Sequence, residues 1–430
     1  MDNAAERTSY LRFYEGDEDN FFENFSVWSI DHEGSQKSLL LNYPQNNNPL
    51  TGTSEHIVPS RDALPNLSQP YFHMATLSPE DGIRVIYSII LETKNRITFQ
   101  LTKESCSIDE KNLIILVIES KFLHPYVFRA ILMNLYNHLS ATNLNIEDEL
   151  ELYLHPAIDQ SILENKLYIA PFDICPAAEI GRFHQFIFSL LKPSQILNIL
   201  LHLLTGTSIF VTSIDTTQLC VGCFSLLSLL YPIKWPNLFI STLPKNYVET
   251  ANSPFPFIIG VPFKLLMHKE MKGISIDNLV NLDFGTLITS PNPKIGQKMI
   301  VLIQKVSDMI SEELTFYKNC CAFPAYRIQL LLWEFIHGVL LISAKMADVN
   351  LNDSDLKTNL AKTLLDSKIS KYHKKDSVEQ YIYESDVVGM FSDHIIRGFE
   401  KYIPDDFFSV LNSKGMRDLM IFMQQQKFKK

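Results

Sequence analysis

Ser208-Ile209-Phe210-Val211-Thr212-Ser213, followed by the apolar segment Thr217–Leu230, is where the architecture of the chain can first be read. The first run is short, rich in β-branched and aromatic residues and bounded by polar punctuation, which predicts a buried strand. The second is long enough for about four helical turns. Leu238–Thr242, Phe257–Val261 and Asn278–Asp283 are further short apolar runs, separated by lengths of chain that can cross back over a sheet. Upstream, Pro193–Leu204 opens on a proline suited to a first helical turn. Strands alternating with helices in this way predict a largely parallel sheet in an α/β lobe.

Toward the N-terminus the pattern differs. Phe25–Ile30 and Leu39–Tyr43 flank the turn-forming Asp31-His32-Glu33-Gly34 and predict a hairpin. Tyr71–Leu77, Ile83–Leu91, Ile97–Leu101 and Leu113–Glu119 are dense in Ile, Val, Phe and Tyr, and predict strands. Pro125 opens a helix in which Phe128, Ile131, Leu132, Leu135, Tyr136 and Leu139 recur at helical spacing. Strands followed by a helix predict an α/β unit built on a mostly antiparallel sheet. Residues 15–24 are acidic and expected to be mobile, residues 44–70 are expected to form a long flexible surface loop, and residues 142–182 a connector. Beyond Pro293 strands are no longer expected. Gln297–Tyr317, Ala325–Ala347, Val378–Tyr402 and Asp405–Gln425 read as helices, with a polar, flexible insertion over 349–377. No internal repeat is visible.

Composition sets limits on function. The chain has 430 residues, 46% apolar and 20% charged, enough for real cores and for about three domain-sized units. The net charge of −10 argues against a bulk electrostatic nucleic-acid binder. Only 15 glycines are present and no Gly-Lys dipeptide occurs, so a Walker A loop is excluded. No G-x-G-x-x-G follows a strand, and neither G-x-S-x-G nor H-E-x-x-H occurs. Six cysteines and an N-terminus without a signal-like segment predict a reducing, cytoplasmic setting. Cys220 and Cys223 have redox spacing but lie inside an apolar helix, which predicts buried thiols. The apolar runs Ile196–Val211 and Ile328–Ala344 carry polar or charged interruptions and read as core helices.

The stretch Arg182–Val261 resembles the central part of a DENN domain. The resemblance rests on Phe183-His184-Gln185-Phe186-Ile187-Phe188, the step Leu229-Leu230-Tyr231-Pro232, Trp235, Leu243-Pro244, and Ser253-Pro254-Phe255-Pro256-Phe257-Ile258-Ile259-Gly260-Val261. Asn278–Asp283 is similar to the family's Val-x-Leu-Asp strand, and Phe72–Leu77 with Glu80-Asp81-Gly82-Ile83-Arg84 to its upstream, longin-type region. One departure is plain: where many members have Glu-Arg or Glu-Lys before the central strand, this chain has Thr205-Gly206-Thr207-Ser208.

The resemblance implies a two-lobe α/β fold, with an N-terminal longin-like lobe (1–165) and a central Rossmann-like lobe (180–292) extended by C-terminal helices (293–430). It implies a guanine nucleotide exchange factor that stabilises a nucleotide-free Rab-type GTPase across both lobes in vesicle-mediated transport. No covalent chemistry, catalytic residue, metal or cofactor follows from it. Asp215, Thr216, Thr217, Asn252 and Ser253 are the expected GTPase contacts. Tyr231, Pro232, Trp235, Pro254, Pro256, Gly260, Asp81 and Gly82 are the motif residues expected to serve as scaffold. Two alternatives stand beside this reading. One is a DENN-like GTPase-activating subunit using Arg84, Arg96 or Arg129. The other is a non-catalytic GTPase-binding trafficking or polarity scaffold, which the missing charged step favours. The expected location is cytoplasmic, with peripheral attachment to endomembranes or vesicles.

Overall fold

The computed structural model describes residues 20–30, 37–44, 48–58, 70–77, 84–92, 97–100, 105–108, 113–141, 146–154, 157–159, 166–169, 172–174, 176–289, 295–318, 323–346, 381–382 and 385–396. The N-terminal lobe is built on β1 (Asn24–Ile30), β2 (Lys37–Tyr43), β3 (Tyr71–Leu77), β4 (Arg84–Glu92) and β7 (Leu113–Ser120), in the order β2-β1-β7-β4-β3 with every neighbouring pair antiparallel. β5 (Ile97–Gln100) and β6 (Ser105–Ile108) form a separate ribbon. The two-residue period sorts the sheet's side chains. Ile114, Leu116 and Ile118 join the main core, whereas Ile115 and Val117 face a second core on the opposite side. Helix α2 (Pro125–Ala141) covers the first face with Phe128, Ile131, Leu132 and Leu135.

The second face carries a finding that corrects the expected surface loop over 44–70. Residues 48–58 form a packed strap: Thr53–His56 is a helical turn, α1, and Thr53 and Ile57 are fully buried. Polar anchors on distant strands hold it. Buried Glu119 accepts from the Thr53 hydroxyl, from Leu50 N at 3.3 Å and from Asn24 Nδ2 at 3.5 Å. His73 Nε2 lies 3.1 Å from the His56 carbonyl, and Ser88 Oγ donates to the Ile57 carbonyl at 2.9 Å.

Two further expectations change. The end of the acidic segment is not mobile surface, because Phe21 and Phe22 are buried and Phe21 stacks on Phe128 at 4.5 Å. The expected connector at 142–182 contains α3 (Ile146–Leu154), a three-stranded antiparallel sheet of β8 (Ala157–Asp159), β9 (Lys166–Ile169) and β10 (Phe172–Ile174), and the start of α4 (Pro176–Leu190).

The second lobe follows the strand–helix alternation. After α5 (Pro193–Leu204), strands β11 (Ile209–Ser213), β12 (Leu238–Ile240), β13 (Phe257–Pro262), β14 (Leu279–Asn281) and β15 (Thr286–Ile288) form a sheet in the order β12-β13-β11-β14-β15. The first four are mutually parallel and β15 closes the edge antiparallel. Helix α6 (Thr216–Leu230) is buried along almost its whole length, because it packs against this sheet, against α4 and α5, and against β3 of the other lobe. A short turn α7 (Phe263–Leu266) leads away from β13.

The C-terminal part supplies α8 (Gln297–Lys318), α9 (Ala325–Met346) and α10 (Asp386–Ile396). Helix α9 is long and apolar enough to cross a bilayer, but most of it is buried inside the protein, as a core helix. The expected insertion at 349–377 and the expected helix Asp405–Gln425 lie outside the described residues. One principal core runs from Phe21 through Phe128, Phe183, Phe224 and Trp235 to Trp333 and Phe391, so both lobes and the C-terminal helices share it.

Candidate functional site

The lobes meet along a polar seam. β3 is the outer strand of its sheet, and an unpaired edge must be covered or it invites other strands. The start of α6 does the covering. The Thr217 hydroxyl donates to the Phe72 carbonyl, and the Tyr71 hydroxyl lies 2.8 Å from Thr216 Oγ1 and 3.4 Å from Asp215 Oδ1. Thr76 Oγ1 accepts from Ser241 N at 3.4 Å. Asp215 caps α6: its Oδ1 accepts from Thr217 N at 2.7 Å and Gln218 N at 3.1 Å. Asp-Thr-Thr therefore starts the helix with one side chain and clasps the other lobe with two. Burial pushes the Tyr71 phenol upward from its ordinary range, so it remains a neutral hydroxyl.

Two more contacts flank the seam. The Arg182 guanidinium of α4 sits over the Tyr126 ring of α2 at 4.7 Å, held by Glu179 at 2.9 Å. The rings of His56 on the strap and Tyr247 on the Lys245–Asn252 turn are 6.4 Å apart. Replacing Thr217 by valine keeps the shape of the side chain and leaves the Phe72 carbonyl without this donor. Urea unfolding should record a loss of about 1–3 kcal/mol.

The sequence candidates do not form one cluster. Asp215 is exposed beyond the carboxyl end of β11, Thr216 is buried, and the Thr217 hydroxyl is spent in the seam. Asn252 and Ser253 precede β13. β11 and β13 run parallel with Ile209 beside Ile258 and Ser213 beside Pro262, so Asn252 and Ser253 lie at the opposite end of the sheet. The four steps from Ile209 to Ser213 separate the two ends by about 13 Å. Ser253 Oγ accepts from Phe255 N at 3.3 Å.

Tyr231 and Trp235 of the motif are tied into the fold. The Tyr231 carbonyl accepts from Trp333 Nε1 at 2.7 Å and from Gln329 Nε2 at 3.5 Å, tying the Tyr231-Pro232 step to α9. Trp235 is buried and donates to the Leu238 carbonyl at 3.2 Å. Pro254 is exposed and Pro256 half-buried, while Asp81 and Gly82 lie outside the described residues. Cys220 and Cys223 are buried, and desolvation pushes the Cys220 thiol up to about 12 and the Cys223 thiol well upward. Such thiols are not nucleophiles. His184 lies 3.2 Å from the Ser228 carbonyl, and burial lowers its pKa to about 4, so it is a neutral core residue. Among the described residues no group of three or more His, Cys, Asp or Glu side chains could hold a metal ion. Arg84 is paired with Glu23, Arg129 reaches over the Phe72 ring at 6.0 Å, and Arg96 lies outside the described residues.

Sequence reasoning missed the side chains that crown the carboxyl end of the central sheet. Asp283 Oδ1 accepts from Ser213 Oγ at 2.8 Å and Oδ2 from Ile214 N at 2.9 Å, locking the ends of β11 and β14 together. Ile214 and Phe284, next to these bonds, are among the exposed large apolar side chains. The only available signal was a pair of apolar residues in loops, which is weak alone.

The match to a DENN (AEX-3) domain spans residues 172–286, from β10 to the start of β15. The chain carries a DENN domain. It is 24% identical over 222 residues to Myotubularin-related protein 5 of Caenorhabditis elegans, covering 49% of this chain and 12% of that protein. DENN domain-containing protein 1B of Homo sapiens is 24% identical over 165 residues, covering 36% of this chain and 21% of the relative. DENN domain-containing protein 2D of Mus musculus is 29% identical over 101 residues, covering 24% and 20%. These alignments thus span about a fifth or less of each relative's length. Within the DENN domain the matched residues supply α4, α5, α6 and the central parallel sheet, and the seam joins it to a strand-rich lobe upstream.

Proposed function

We propose that this DENN module is a guanine nucleotide exchange factor for a Rab-type small GTPase. It acts in vesicle-mediated transport in the cytoplasm, at the surface of endomembranes or vesicles. The observation that carries the reading is the seam. Thr217, Thr216 and Tyr71 fix the β3 edge of one lobe against the start of α6 in the other. The two lobes thereby offer a single rigid face to a partner lying across them. Exchange on such a face needs no nucleophile and no metal of the module's own. It works by differential affinity: the module binds the nucleotide-free GTPase more tightly than the GDP-bound form, and by reciprocity GDP is held less tightly. GTP then enters by mass action.

The test is release of labelled GDP from a panel of purified Rab-type GTPases. Micromolar protein should accelerate release from at least one of them. No acceleration across the panel would overturn the reading. A scaffold that binds a GTPase without releasing its nucleotide is the second reading. The uncharged step Thr205-Gly206-Thr207-Ser208 favours it, since the Thr207 hydroxyl is turned inward to the His202 carbonyl at 2.9 Å. Equal affinity for GDP- and GTP-loaded forms, with unchanged release, would identify that case.

A further inference from the structure

The lobes are joined by contacts of two chemical kinds. At the seam the clasp is made by hydroxyls and backbone groups: Thr217 on the Phe72 carbonyl, Tyr71 on Thr216, and Thr76 on Ser241 N. The corner where α4 meets α2 is different, because a carboxyl group is buried there. Glu179, in the first turn of α4, is 2% exposed. Its Oε1 accepts from Arg182 at 2.9 Å and its Oε2 makes no hydrogen bond. Arg182 in turn lies over the Tyr126 ring of the other lobe at 4.7 Å. A cation that crosses between the lobes is thus aimed by a buried carboxyl group. The groups around it do not share that task. Tyr126 of α2 and Tyr87 of β4 are phenols that burial keeps neutral, and burial also holds His124 neutral, with a pKa of about 3. The Cys220 thiol of α6 is pushed up to about 12. Arg129 lies over the Phe72 ring at 6.0 Å, and Arg327 of α9, whose start packs on α4 beside Gly181, is paired with Glu313. Arg182 is the cation that acts on Glu179.

We infer that Glu179, Arg182 and Tyr126 form a proton-operated latch between the lobes, shut while Glu179 carries its proton and loosened when it ionises, with the Thr217–Phe72 clasp as the pivot. The protonated carboxyl still accepts from Arg182 through Oε1 and needs no second donor to balance a charge. Ionisation in place leaves a carboxylate oxygen buried without a donor, which is costly. Relief lies toward water. Arg182 is already 45% exposed, so the pair has a short way to swing outward, and the guanidinium then leaves the Tyr126 ring. The clasp has no such group. Its hydroxyl–carbonyl bond is indifferent to pH, so the lobes part at the corner and stay joined at the seam. Burial sets the working range: the Glu179 pKa is raised from 4.5 to about 7, which brings the change to neutral pH.

The test is hydrogen–deuterium exchange of the full chain, read by mass spectrometry at pH 6, 7, 8 and 9 and corrected for the intrinsic pH dependence of amide exchange. In the unmodified protein, peptides carrying residues 124–130 and 177–184 should open about 10-fold more often at pH 8 than at pH 6, the ratio that a pKa of 4.5 in the open corner and about 7 in the shut one fixes by linkage. Residues 216–222, at the clasp, should keep their protection. Glu179→Gln keeps an acceptor for Arg182 and cannot ionise, so the step should vanish. Arg182→Leu should move the step of the α4 peptide to higher pH, because the cation that favours the carboxylate is gone. An arginine with a merely structural role would change the protection and leave the midpoint where it was. Equal protection of the corner at all four pH values, or the same step in Glu179→Gln, would overturn the latch. So would a step of equal size at 216–222, since the lobes would then separate as a whole and not about a pivot. No GTPase enters the measurement, so its outcome is independent of the exchange reading.

Discussion

The Gly260→Ala protein will lose about 3 kcal/mol or more of folding stability, the upper range for inserting a methyl group into a packed core. Gly260 stands in β13, paired with Val211 of β11, at a point where the chain leaving β12 folds over it. An added Cβ would lie 2.1 Å from the Ser241 carbonyl oxygen and 2.9 Å from Cys223 Sγ. The first of these neighbours is backbone. Ser241 cannot withdraw freely, because Leu243 N donates to the Gly260 carbonyl at 2.7 Å and Ser241 N donates to Thr76 Oγ1 at 3.4 Å in the seam. Relief therefore breaks a sheet contact, an inter-lobe contact or both. Gly389→Ala is the control. A Cβ there meets nothing within 4 Å, and the site lies inside α10, where alanine exceeds glycine in helix preference by about 1 kcal/mol. Urea unfolding of the two variants should thus give shifts of opposite sign. Equal stability of Gly260→Ala and the unmodified protein would show that Ser241 can move without cost.

Gly260 also illustrates what a sequence can and cannot disclose. It lies inside β13, where the Ser241 carbonyl leaves no room for a side chain, and nothing in the sequence around it discloses that contact. Strands such as Tyr71–Leu77 and helices such as Pro193–Leu204 were legible because local chemistry decides them: β-branched runs in one, a proline start and a leucine-rich face in the other. The strap at 48–58 was illegible because its burial depends on Glu119, His73 and Ser88, which lie on strands elsewhere in the chain. Phe21 and Phe22 were hidden behind an acidic stretch whose charge says nothing of the two rings after it. The placement of the candidate contacts was hidden for a similar reason. Nothing near Thr217 announces that its hydroxyl meets Phe72, 145 residues away. Asn252 and Asp215 look like neighbours in a loop inventory, and only the parallel register of β11 and β13 sends them to opposite ends.

Glu179→Gln is expected to remove a pH dependence of stability from the same inter-lobe junction. Glu179 is 2% exposed on α4, and its Oε2 makes no hydrogen bond. Its Oε1 meets Arg182, which is 45% exposed, so its pairing is partly screened by water. Among the described residues, Arg182 is the cation that acts on it. Tyr126 of α2 and Tyr87 of β4 are phenols whose pKa values its charge helps to raise, and Arg129 acts on Tyr126. His124, ahead of α2, is held neutral by burial with a pKa of about 3, and Cys220 of α6 is a thiol. Desolvation therefore prevails over Arg182 and raises the Glu179 pKa from 4.5 to about 7. The sign follows from proton counting. Below about pH 4.5 folded and unfolded chains both hold the proton, and stability is unaffected. Between about 4.5 and 7 the unfolded chain releases it while the folded chain keeps it, so stability falls as pH rises. Above about 7 the loss is complete, at most about 3 kcal/mol. Glutamine cannot ionise and should not show this fall. Urea unfolding at pH 5, 6, 7 and 8 should find the variant gaining on the unmodified protein up to about pH 7 and then running parallel to it. Curves parallel from pH 5 onward would mean that Glu179 is already ionised there and that Arg182 outweighs burial. In an Arg182→Leu background the gain should be larger, because the arginine that lowers the Glu179 pKa is gone and desolvation acts unopposed; a smaller gain would show that desolvation does not set the titration.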